Sequence, residues 1–345
     1  MRIAQLCPPW LAVPPKGYGG IEWVVSLLAD GLAAAGHDVT LFATGDSGTT
    51  ANLEYVLESA PGSDRINDIM LDATHTMFSL RDAAERFDVL HVHSPFSSLA
   101  AAVETSVPAV HTLHGSFTPE MSRLYAQVAD RAWFVAISEA QRRTNEALRY
   151  AGVVYNGIDV DRYPFVTEKD DYLLFLGRAA PEKGWLRAVE TARLTGRRLI
   201  SAVKISHPTE IEEWEGRIRP ILPEGSEVLG EIGHEEKASL LAHAQAVLFP
   251  IDWDEPFGLV MTEAMACGTP VIATPRGSVP EVIADGETGW IVDVASYPDE
   301  AAERLSKLDS IDPAACRDRV WRLFSKEAMV AGYERVFAEV AAFGR

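Results

Sequence analysis

Short apolar runs separated by longer stretches of helical period recur along the whole chain, and this rhythm starts afresh near residue 171. A parallel strand pair needs a long crossover, usually a helix, so alternation of this kind predicts βαβ units and a mostly parallel, doubly wound sheet. In the first half the strand-like runs are RIAQLC (2–7), DVTLFAT (38–44), FDVLHVHS (87–94), VPAVHTLH (107–114), RAWFVAIS (131–138) and AGVVYNGI (151–158). The second half offers DYLLFLGR (171–178), RRLISAVKI (197–205), GSEVLGEIG (225–233), AQAVLFPI (244–251), GTPVIATP (268–275) and TGWIVD (288–293). Helical segments lie between several of them, among them 19–37 with Gly36 placed to end it and 182–196 closed by Gly196. The polar stretch NGIDVDRYPFVTEKDD, with little period of either kind, reads as the linker. The expected organisation is a first α/β domain over 1–160, a second over 161–325 and a last amphipathic helix over 326–345. Ligands of such sheets bind at the carboxyl ends of the strands, here expected in a cleft between two similar halves.

Composition narrows the function. A chain of 345 residues, 47% hydrophobic and 23% charged, has enough apolar material for two cores. The 31 Lys and Arg against 50 Asp and Glu leave a net charge of −19. That balance argues against a nucleic-acid partner and against strong docking on an anionic membrane. No apolar run reaches the length of a membrane span. The opening MRIAQLCPPW lacks the basic and apolar regions of a secretory signal. Cys7, Cys267 and Cys316 are too scattered for a disulfide framework or a zinc site. These points together predict a cytoplasmic protein.

The most informative stretch is EPFGLVMTEAMACGTPVIAT, residues 255–274. Glu255 and Glu263 flank a Pro-Phe-Gly turn, and could be a nucleophile and an acid, a metal clamp, or solvated surface. Pro256 and Gly258 break any helix, so a helix starting near Gly258 leaves Glu255 on a loop and Glu263 in the second turn. The first-turn amides of Gly258, Leu259 and Val260 then point into the space beside Glu255 and attract an anion. Carboxylates accept hydrogen bonds from vicinal hydroxyls. A phosphate held by amides, with a carboxylate on each side for alcohols, matches a sugar–diphosphate–ribose.

A diphosphate needs cations. LLFLGRAAPEKG places Arg178 past a strand end and Lys183 at the start of the next helix, on the same carboxyl edge as Glu255. In the first half, PPKGYGGIEWVV is a glycine-rich turn in which Gly19 and Gly20 could let backbone amides approach a ligand; a plain βα turn reads equally well. Histidines collect at strand ends: His91, His93, His111 and His114. No third ligand of zinc-like spacing follows His-x-His, so His91 and His93 read as satisfied strand residues, and His114, before Gly115, as the substrate contact.

These pieces together resemble the retaining nucleotide-sugar glycosyltransferases of family 4, with the GT-B fold of two Rossmann-like domains facing across a cleft. The matching segments are the Gly19–Gly20 loop, DVLHVHSP, TLHG, AISEAQRR, VVYNGID, LLFLGRAAPEKG, VLGEIGHEEKASLLAHAQAVLFP and DEPFGLVMTEAMACGTPVIAT, in family order along nearly the whole chain. The resemblance implies that Glu255 contacts hydroxyls of the donor sugar and Glu263 the ribose diol. Arg178, Lys183 and the amides of Gly258, Leu259 and Val260 would grip the diphosphate, with Phe257 part of the same substrate-binding turn. His114 would touch the donor sugar near the reacting carbon, and the backbone at Ile232 would meet the base. The last helix would cross back to the first domain.

The implied reaction is transfer of a hexosyl group, with retention, from a nucleotide diphosphate sugar, UDP-glucose-like by family frequency. The charge developing on the leaving diphosphate is met by cations and amides, so no metal or other cofactor is expected. The expected acceptor, a small molecule, lipid or glycan, is not narrowed further because 45–80 and 115–130 carry no legible signature; self-association stays open. Two other readings compete: a nucleotide-sugar 2-epimerase of the same fold, which the paired glutamates disfavour, and a non-catalytic nucleotide-sugar binder.

Overall fold

The structure, a computed structural model, describes residues 1–17, 19–62, 65 and 68–343. The chain divides into two compact units, one made of 1–157 together with the segment from Lys326 onward, the other of 158–325.

The first unit is built on seven strands: β1 (Arg2–Leu6), β2 (Asp38–Ala43), β3 (Asn52–Tyr55), β4 (Val89–Val92), β5 (Ala109–Leu113), β6 (Trp133–Ala136) and β7 (Tyr150–Val153). They pair in the order β3-β2-β1-β4-β5-β6-β7, every pair parallel. The order reverses between β1 and β4, which opens a crevice at their carboxyl ends. Helix Gly20–Ala34 and the long helix Lys326–Phe343 pack on each other, with Gly31 leaving room for Val330 and His37 3.1 Å from Glu334.

β3 and helix Ile69–Ser79 lie in the region whose pattern the sequence leaves blank, and the reason is visible. β3 is a short edge strand with no residue fully buried. The helix is inverted: it buries Asp72, His75, Thr76 and Ser79 and exposes Ile69, Met70 and Met77. Asp72 accepts hydrogen bonds from Ser97 and Ser98, and Thr76 bonds Ser98, so hydroxyl pairing stands in for an apolar stripe.

The second unit carries six strands: β8 (Leu173–Arg178), β9 (Leu199–Lys204), β10 (Glu227–Leu229), β11 (Ala246–Phe249), β12 (Val271–Ala273) and β13 (Gly289–Ile291). Their order is β10-β9-β8-β11-β12-β13, again all parallel, with the reversal between β8 and β11. The unit begins at Ile158 rather than at 161. Ile158 donates its N–H to Phe324 O at 2.9 Å, so the chain enters and leaves the unit side by side. The segment read as a linker is in fact packed: Val160 and Tyr163 are buried, and Arg317 donates to the carbonyls of Val160, Tyr163 and Ala266. Three carbonyls aimed at one guanidinium give order to a stretch that has no hydrophobic period.

The face of the first sheet that carries Gln5, His91, His93 and Thr112 is unusually polar for a core. His91 Nε2 lies 2.7 Å from Thr112 Oγ1, which bonds the Tyr333 hydroxyl at 2.8 Å. On the opposite face His111 Nε2 meets the Tyr125 hydroxyl at 3.0 Å. Burial holds these imidazoles neutral: the His75 and His114 pKa values fall to about 4 and that of His111 to about 3. Their unfolded counterparts bind protons below about 6.5, so acid favours unfolding. We expect the stability of this unit to hold above pH 6.5 and to decline steadily toward pH 4, read as lost hydrogen-exchange protection of the β4 and β5 amides. His111→Phe should flatten that decline.

Candidate functional site

The second unit concentrates functional groups where its strand order reverses. Arg178 is the last residue of β8 rather than a residue beyond it. Its Nη2 donates to Glu210 Oε1 at 3.1 Å, while the Arg178 side chain stays 46% exposed. Glu210 is buried near the start of helix Pro208–Glu213 and accepts the amides of Ser206 and His207 at 2.8 and 3.0 Å. Burial alone would raise its pKa; those amides and Arg178 outweigh burial and hold it at about 2. Glu210 thus stays ionised and steadies the base of a guanidinium whose other face is open. Nothing in the local sequence around 210 marks it, because the partner strand end is 32 residues earlier.

Lys183 closes a short 3₁₀ turn, Pro181–Lys183, one residue ahead of helix Trp185–Thr195 rather than inside it. The intervening Gly184 has φ 77°, and a Cβ there would lie 2.0 Å from Pro250 O, so only glycine fits. The turn is stitched to the loop after β11 by Asp252 N–H donating to Glu182 O at 2.7 Å. This close approach brings Lys183 Nζ to 3.0 Å from Glu255 Oε2 and 4.3 Å from the centre of the Trp253 ring.

Gly258, at φ 75° and ψ 70°, caps helix Leu259–Ala266. The first-turn amides of such a helix have no acceptor within it. Gly258, Leu259 and Val260 are all partly exposed, next in sequence to Glu255. Glu263 is buried on the inner side of this helix, where Oε1 accepts from the Tyr163 hydroxyl at 2.9 Å and from Lys237 Nζ at 2.6 Å. Each glutamate of the pair is therefore matched by its own lysine. Tyr163 and Lys237 carry no signal along the chain; they lie 100 and 26 residues from Glu263.

The Phe257 side chain points into the core. Its ring is buried, edge-on to Phe324 with centroids 5.7 Å apart, and its carbonyl accepts the Ser278 hydroxyl. It anchors the turn from beneath, as expected of a large apolar side chain beside a core. Ser278 N–H also bonds Glu255 O at 2.9 Å, and a Cβ on Gly277 would stand 2.2 Å from that same oxygen. Gly277 and Ser278 thus fix the backbone that presents Glu255.

Ile232 lies, partly buried, in the loop between β10 and helix His234–His243. Gly19, Gly20 and His114 belong to the first unit. Gly19 precedes helix Gly20–Ala34, and a Cβ on it would meet Pro15 at 2.7 Å. His114 follows β5, with Nε2 2.9 Å from His93 Nδ1. Asp-x-Asp pairs occur at Asp159–Asp161 and Asp252–Asp254. Asp252 is held by Arg187 and Arg276 at 3.3 and 2.7 Å. Among the described residues no group of three or more His, Cys, Asp or Glu side chains is placed to hold a metal ion.

This combination, two cations and a helix N-terminus at the carboxyl edge of a parallel sheet, suits a doubly charged leaving group flanked by alcohols. Residues 18–162 match the model of Glycosyltransferase Family 4, and residues 219–317 that of Glycosyl transferases group 1. The phosphatidyl-myo-inositol mannosyltransferase of Mycolicibacterium smegmatis is 30% identical over 337 residues, 90% of this chain and 85% of that one. The glycogen synthase of Mycobacterium tuberculosis is 29% identical over 361 residues, 89% of this chain and 86% of that one. Among solved structures, AviGT4, a glycosyltransferase involved in avilamycin A biosynthesis, superposes with a TM-score of 0.74 at 28% identity, covering 99% of this chain and 98% of that one. The chain belongs to glycosyltransferase family 4, and its two parallel-sheet Rossmann-like domains are those of the GT-B fold. Among the described residues no helix is long and apolar enough to cross a membrane.

The packing around Glu255 yields a direct test. Gly277 and Gly286 both have positive φ, but a Cβ meets backbone at 2.2 Å only at Gly277 and nothing within 4 Å at Gly286. Gly286→Ala should cost about 1–2 kcal/mol of left-handed strain, and Gly277→Ala measurably more, compared as urea midpoints.

Proposed function

We propose that this glycosyltransferase is a retaining, metal-independent hexosyltransferase that uses a nucleotide diphosphate sugar, UDP-glucose-like, and a small-molecule, lipid or glycan acceptor. The observation that carries the reading is the Lys183–Glu255 pair at 3.0 Å beside the Gly258 helix start, with Arg178 held by Glu210 on the neighbouring strand end. Donor binding exchanges partners: Lys183 turns to the diphosphate and Glu255 to sugar hydroxyls. As the bond from the anomeric carbon to the diphosphate stretches, negative charge grows on the leaving oxygen. Arg178, Lys183 and the amides of Gly258, Leu259 and Val260 are the donors for that charge. Glu263 takes the ribose diol, the backbone at Ile232 the base, and His114 a hydroxyl of the sugar. Gly19 and Gly20 let backbone amides approach a phosphate or the acceptor.

The names of the relatives, a mannosyltransferase of phosphatidyl-myo-inositol and a glycogen synthase, support hexosyl transfer to a lipid or a glycan. A cytoplasmic setting accords with Cys7, Cys267 and Cys316 as buried free thiols.

A thermal-shift screen of UDP, GDP, ADP and their sugars should raise Tm for one base only. With the donor so named, Arg178→Ala and Lys183→Ala should each lower kcat by about 10²-fold with little change in Tm, as for loss of one transition-state donor. Turnover should survive EDTA, and the product should keep the donor's anomeric configuration. Normal kcat in either variant would remove the basis of this assignment.

A further inference from the structure

Gln5, on β1, His93, just beyond β4, and His114, just beyond β5, form one hydrogen-bonded line across the crevice of the first sheet. Gln5 Oε1 is 2.8 Å from His93 Nε2, and His93 Nδ1 is 2.9 Å from His114 Nε2. The two imidazoles stack with centroids 5.2 Å apart, and His91 sits 4.0 Å from His93 on the other side. Gln5 and His93 are buried. We propose that Gln5 and His93 are positioning residues that hold His114 as its Nε2–H tautomer, so that it meets substrate as a hydrogen-bond acceptor at Nδ1. This deepens the role given to His114 above and rests on it.

The argument follows from donor and acceptor counting. The Gln5 amide is oriented so that Oε1 faces His93, while its own Nε2, buried without a partner among the described residues, faces away. In this orientation the amide oxygen can only accept, so His93 Nε2 carries the proton. Three imidazoles packed together, two of them buried and His114 partly so, disfavour a cation among them, and burial depresses the pKa of both His93 and His114. Neutral His93 therefore has a bare Nδ1, and His114 must donate to it from Nε2. Neutral His114 is left with a lone pair at Nδ1. A ligand that completes it must bring a hydroxyl or N–H, as a sugar does. In this orientation of Gln5 the same counting leaves His114 no proton for the leaving group, and that role falls to the cations and amides of the second unit. With the Gln5 amide turned over, every proton in the line moves to the opposite nitrogen, and His114 Nδ1 becomes a donor instead.

Long-range ¹H–¹⁵N spectra of the full chain, labelled at histidine nitrogen, distinguish the two states, with His114→Gln and His93→Phe for assignment. The expected spectrum has a protonated Nε2 and an unprotonated Nδ1 for His114 at pH 7.5. Gln5→Met should give a mixture of tautomers and lower kcat about tenfold, the value of one neutral hydrogen bond, with the donor KM unchanged. A protonated Nδ1 on His114 in the unsubstituted protein overturns the proposal. So does a Gln5→Met variant whose His114 keeps the single tautomer while kcat and Tm fall together. If the tautomer is as stated but His114→Gln leaves transfer untouched, the relay stands and the substrate role of His114 fails.

Discussion

The tie between the loop after β8 and the loop after β11 is the constraint on which the site depends. Gly184 lets the backbone touch Pro250, Asp252 bonds Glu182, and Lys183 then reaches Glu255 at 3.0 Å. These two loops are far apart in the chain and adjacent only because the strand order reverses between β8 and β11. The reversal is a topological fact, and it gathers cations, amides and acids along a single edge. In a chain of net charge −19, a few cations are thus concentrated at one edge and held in place.

The holding is done by residues that never need touch a ligand. Glu210 stays ionised under Arg178; Gly277 and Ser278 grip the backbone of Glu255; Phe257 anchors the turn in the core. Preorganisation of this kind is what makes charged groups effective, since groups held in place by their neighbours lose less on meeting a charge. In the first unit the same logic appears without formal charge. There a line of neutral hydrogen bonds from Gln5 through His93 orients His114.

Three kinds of feature in this molecule are hidden from local pattern. Helix Ile69–Ser79 turns its hydroxyls and carboxylate inward and its methionines outward, so its hydrophobic period points the wrong way. The 158–171 segment has no period at all, because Arg317 orders it through backbone carbonyls. Tyr163, Lys237 and Glu210 went unmarked because each is functional only through a partner distant in sequence.

The chain alone determined the α/β class, the doubling, and the Gly258 helix start beside Glu255, since strand and helix period, glycine conformational freedom and helix-end polarity are local properties. It also displayed Arg178, Lys183 and His114 at strand ends. Only the tertiary structure decided that each glutamate pairs with its own lysine, that Phe257 faces inward, and that Nε2 of His114 is the nitrogen facing His93. Those outcomes depend on side chains tens of residues apart meeting within 3 Å or so, a distance that no local pattern encodes.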